Sequence, residues 1–171
     1  MISAKACCLP KIALLAAYLH QADYIDCFVV DVEGSVSLTD YIFAFYTSPT
    51  FKSERILLGI LLRMPSTDDD AYRLAHAASD RFAAWHVEQR SDNQILLCDY
   101  QKRSRSWLMA MPLTQTGTNI VTRLYFGTAM MPIEKTEIGR ALGRSIIWSL
   151  TWFHKIYARK LLQAAYKKVT R

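Results

Sequence analysis

The sequence contains no apolar run approaching the ~20 residues that a bilayer-spanning helix requires, so no integral membrane segment is expected. No serine or cysteine sits in a recognisable nucleophile elbow, and no Ser-His-Asp or Cys-His arrangement can be assigned. Histidine is scarce. His20, His76, His86 and His154 do not share ligand spacing on one helix, and no metal or other cofactor is expected. Cysteine is scarce too. Cys7, Cys8, Cys27 and Cys98 match no zinc or redox spacing, which favours free thiols in a cytoplasmic protein. With only 6 glycines and 5 prolines there is no low-complexity linker, and an ordered globular chain is the default.

What is present points to one domain over residues 1–171, long enough to bury a sizeable core. Hydrophobic residues make up 51% and charged ones 21%. The apolar stretch Ile12 to Leu19 follows Lys11 as a signal-peptide core would, but it is short and has no small-residue cleavage site. It reads as part of the fold. The net charge of +6 is scattered, dense only at Lys102–Arg105 and at the C-terminal end. Lys167, Lys168 and Arg171 are expected to be solvated, and no nucleic-acid site is expected.

Along the chain, Tyr24 to Val32 alternates with apolar residues on both faces, the pattern of a well-buried strand. From Ser37 the period becomes helical, with Tyr41, Ile42, Phe45 and Tyr46 on one side and a stop near Ser48-Pro49. A second helix is expected from about Thr50 and a third from about Asp70 to Ala78. Asp68, Asp69 and Asp70 point in different directions at a helix start, so they match the helix dipole better than a metal. Four strands follow with short polar connections: Phe82 to Gln89, Gln94 to Gln101, Arg105 to Leu113 and Asn119 to Met130. Short loops imply an antiparallel meander. A long helix, Glu134 to Val169, closes the chain, with Ile138, Leu142, Ile146, Leu150, Phe153, Ile156, Tyr157, Leu161 and Ala164 on one stripe. The expected fold is α+β, with a curved antiparallel sheet wrapped around a long C-terminal helix in a helix-grip-like arrangement.

The stretches Ala22-Asp23-Tyr24-Ile25-Asp26-Cys27-Phe28, Glu88 to Leu97 and Phe153-His154-Lys155-Ile156 resemble an uncharacterised bacterial domain-of-unknown-function family. That resemblance implies a fold similar to START-like and polyketide-cyclase-like proteins. It brings no active site, and Trp152 stands where the family often has proline.

The candidate lining of a cavity between sheet and last helix is Trp107, Met109, Leu124, Phe126, Ile146, Leu150 and Phe153, since mixed methionine and aromatic walls suit adaptable apolar pockets. Two polar groups stand out. Asp99 alternates with Ile95 and Leu97, so it either points inward as an acid or base, pairs with Arg105 or Arg123, or marks an exposed strand end. His154 is either a hydrogen-bonded helix histidine or a general base. The leading expectation is a non-catalytic binder of a small apolar molecule. The alternatives are an enzyme acting on a hydrophobic substrate in the same cavity, and an interaction module whose apolar face docks a partner or a second copy as a homodimer.

Overall fold

The computed structural model describes residues 3–53, 65–113, 120–132 and 156–170. The fold is α+β. Seven strands form one antiparallel sheet: β1 (Lys5–Ala6), β2 (Tyr24–Glu33), β3 (Arg81–Phe82), β4 (Trp85–Arg90), β5 (Gln94–Asp99), β6 (Ser104–Leu113) and β7 (Val121–Met130). Their spatial order is β1-β2-β7-β6-β5-β4-β3, so the expected meander is present and β2 joins its free edge beside β7. The first expected meander strand is broken in two where Ala83 takes a positive φ of 50°, which lets β3 fold back on β4.

The helices start where side chains satisfy their first free N–H groups. Ser37 caps α1 (Leu38–Tyr46), its hydroxyl accepting from the Asp40 N–H at 3.0 Å. α2 (Asp68–Ala75) begins earlier than the periodicity alone predicts, because Thr67 and Asp70 form a reciprocal capping box. Its three aspartates occupy the first turn, where the dipole favours them. The C-terminal helical residues 156–169, here α3, pack against the sheet and α1.

The buried stripe of α3 is Ala158, Leu161, Leu162 and Ala165. This corrects the expected stripe. Ile156 is 38% exposed, and Ala164 lies at the margin of the buried row. Two fully buried alanines let the helix backbone approach its neighbours, whereas the large Ile156 turns outward. The upstream part of the expected stripe lies outside the described residues.

Both faces of the sheet are covered. On one, Phe28, Val30, Val32, Leu108, Ala110, Leu124 and Phe126 pack under α1, α2 and α3. On the other, Cys27, Leu96, Trp107, Met109, Tyr125 and Ala129 pack under the 3-10 helix Leu14–Tyr18, whose Leu15 is fully buried. Gly127 makes this second cover possible. A Cβ there would stand 2.9 Å from Leu15 Cδ2, 3.0 Å from the Asp26 carbonyl oxygen and 3.0 Å from Trp107.

Candidate functional site

The expected cavity lining divides between the two faces. Trp107 lies opposite Gly127 and Leu108 opposite Phe126, so Trp107 and Met109 point away from Leu124 and Phe126. Trp107 and Met109 are fully buried beneath the N-terminal segment, and the Trp107 indole donates to Gln94 Oε1 at 2.9 Å. Leu124 and Phe126 do face the helices, where Phe45 meets Phe126 with ring centroids 4.8 Å apart. Phe45 also packs against Tyr41, Tyr46 and Phe51, so the space above this part of β7 is filled with rings. Ile146, Leu150, Phe153 and His154 lie outside the described residues.

Asp99 caps a turn. Its carboxylate accepts from the N–H groups of Gln101, Arg103 and Ser104 at 2.8, 3.0 and 2.8 Å, and from the Ser104 hydroxyl at 2.5 Å. Four donors occupy its lone pairs and hold the β5–β6 connection, which is the strand-end reading rather than that of an inward acid. Arg105 pairs instead with Glu88, Nε to Oε2 at 2.7 Å, and Arg123 with Asp31 at 2.6 Å. Among the described residues, no three His, Cys, Asp or Glu side chains come together as a metal would require. No described helix is long and apolar enough to cross a membrane.

A cleft lies at the end of α1, where Thr47, Pro49, Thr50 and Lys52 face Lys160, Gln163, Ala164, Lys167 and Lys168 of α3. Its volume is about 760 Å³, within the ~300–1,000 Å³ typical of small-molecule sites. Lys168 is not simply solvated, contrary to expectation. Its ammonium donates to the Thr47 carbonyl at 3.0 Å and the Thr47 hydroxyl at 2.5 Å, and lies 5.4 Å from the Phe43 ring centroid. It therefore closes the C-terminal end of α1, where the dipole favours a cation. Burial first, and then the charge of Lys52, hold its ammonium below the usual lysine range. Among the four lysines, Lys52 is bridged to Asp68 at 2.5 Å. The cleft thus combines positive charge with aliphatic walls from Pro49, Ala164 and the lysine stems. The sequence reading missed it, because Lys52 and Pro49 are far in the chain from the C-terminal lysines and no spacing joins the two segments.

No protein-family model matches the sequence, and no curated protein or solved structure matches it either.

Proposed function

We propose that the protein is a non-catalytic binder of a small molecule with an apolar body and an acidic head, held in the cleft between the end of α1 and α3. The observation that carries this reading is the convergence of four lysines on one partly apolar cleft of about 760 Å³. An anion set among Lys52, Lys160, Lys167 and Lys168 offsets the charge of Lys52, which adds to burial in holding the Lys168 ammonium below the usual lysine range. The apolar body lies along Pro49, Ala164 and the lysine methylenes. This keeps the small apolar ligand expected from the sequence but adds an acidic group and moves the site to the margin of the helical layer. The short stretches that resemble the uncharacterised bacterial family imply a helix-grip-like fold, which accords with a ligand held beside the last helix.

The test is a titration with a fluorescent medium-chain fatty acid and with its methyl ester. The acid is expected to bind saturably and the ester at least about tenfold more weakly, a difference of about 1.4 kcal/mol. Lys160→Ala with Lys167→Ala is expected to remove most of that preference while leaving the fold intact, since both side chains lie outside the core. Equal affinity for acid and ester, or no saturation with either, refutes the proposal.

A further inference from the structure

The geometry points to Cys7 and Cys27 as a reversible dithiol–disulfide pair that fastens the N-terminal segment to β2. β1 pairs with β2 antiparallel, Lys5 opposite Val29 and Ala6 opposite Phe28. Continuing that register sets Cys7 opposite Cys27, and the Cys7 N–H donates to the Cys27 carbonyl at 3.0 Å. Hydrogen-bonded antiparallel pairs have Cα atoms about 5.5 Å apart, inside the ~4.4–6.8 Å that disulfides use. The two sulfurs are already in contact at 3.3 Å, so bond formation at about 2.05 Å requires a closure of only about 1.2 Å.

The two thiols are chemically unequal. The hydrogen-bond contact with Cys27 holds the Cys7 thiol below its ordinary range, helped by the charge of Arg123. The same contact, together with burial, pushes Cys27 up. Both cysteines line an open cleft of about 450 Å³ with Asp26 and Arg159, but Cys7 is half-buried there and Cys27 is buried. Cys7 is thus the attacking group and Cys27 the resolving one.

With a low-molecular-weight disulfide as oxidant, the Cys7 thiolate attacks one sulfur, forming a mixed disulfide and expelling one thiolate. Cys27 then gives up its proton and attacks the Cys7 sulfur, expelling the second thiolate. The protein loses two hydrogens, and the oxidant is reduced to two thiols. The closed loop contains the whole 3-10 helix Leu14–Tyr18, so oxidation locks the cover of the second sheet face in place.

The test equilibrates the folded, reduced full chain with oxidised glutathione, then alkylates it and measures intact mass and peptides. Two of the four thiols are expected to become unreactive, the chain to lose about 2 Da, and one linked peptide pair to carry residues 7 and 27. Cys8→Ser and Cys98→Ser are expected to form the bridge as the parent does, whereas Cys7→Ser does not lose the two hydrogens. Four reactive thiols after equilibration overturn the inference. So does a bridge that disappears in Cys8→Ser, a bridge that persists in Cys7→Ser, or a glutathione adduct at Cys7 that Cys27 never displaces.

Discussion

The two faces of the sheet are buried to a similar degree by different means. The helix-covered face is filled with interlocking rings: Phe45 touches Tyr41, Tyr46, Phe51 and Phe126 at centroid distances of 4.8–6.1 Å, and Tyr46 adds Phe82 at 4.8 Å. The other face is covered by a 3-10 helix of 5 residues, a smaller cover than the helical layer opposite. It is held by hydrogen bonds. Gln94, 6% exposed, accepts from the Leu14 N–H and the Trp107 indole with Oε1, each at 2.9 Å, and donates to the Ile12 carbonyl at 3.0 Å. One layer is stabilised by non-directional burial, the other by directional bonds over a close approach at Gly127. The first should respond to lost volume and the second to lost partners.

The largest effect is therefore expected from Phe45→Ala. The side chain is 1% exposed and its four ring neighbours come from α1, residue 51 and β7. Removing it leaves a void in a close-packed layer, at a cost of about 3–5 kcal/mol. Denaturant melts should show a lower midpoint with an unchanged slope. A loss below about 1 kcal/mol would mean that the ring layer is loosely packed, and the contrast between the faces would fail.

Much of this fold is legible in the sequence for a simple reason. Strand periods, hairpin connections and the Ser37 cap are local, and local chemistry decides them. Facing is not local when both sides of a strand are apolar. The pattern of β6 places Trp107 with Met109 and that of β7 places Leu124 with Phe126, but neither says which pair faces which layer. One residue of register decides it, and Trp107 stands opposite Gly127 rather than Phe126. The lysine cleft, the Gln94 anchor and the Cys7–Cys27 contact all join residues distant in sequence, so no spacing rule reveals them. Asp99 was open for a related reason: its alternation with Ile95 and Leu97 holds, but the strand ends there and the turn takes the carboxylate.

A smaller loss is expected from Gln94→Leu, which keeps the volume and deletes both the shared acceptor and the donor to the Ile12 carbonyl. The Leu14 N–H and the Trp107 indole N–H then lose the partner they share. Stranding the buried indole donor and the half-buried Leu14 N–H costs about 2–3 kcal/mol in all, with partial recovery if water reaches them. The sharper readout is local. Amide exchange at residues 14–18 should accelerate more than exchange in α1, because the 3-10 cover loosens before the ring layer does. Equal acceleration in both would show that the two faces unfold as one unit, and that the distinction between them has no energetic meaning.

The smallest effect is expected where the N-terminal cover runs out. Asp31 and Arg123 continue the strands of that face beyond Val29 and Tyr125, and their side chains are 44% and 36% exposed. Arg123 donates to both carboxylate oxygens, at 2.6 and 2.8 Å. These bonds are the main reason that Asp31 titrates below its ordinary range. A depressed folded pKa makes the pair stabilising above the unfolded carboxyl value of about 3.9, with the contribution lost as pH falls through the lower folded value. Solvent screening at such exposure keeps the contribution below about 1 kcal/mol. Asp31→Asn should therefore lower the midpoint slightly at neutral pH, and the gap to the parent should shrink below about pH 4 and in concentrated salt. A neutral-pH loss as large as that of Gln94→Leu would mean that this end of the face is held as firmly as its centre. The picture of a short cover pinned chiefly at Gln94 would then have to be abandoned.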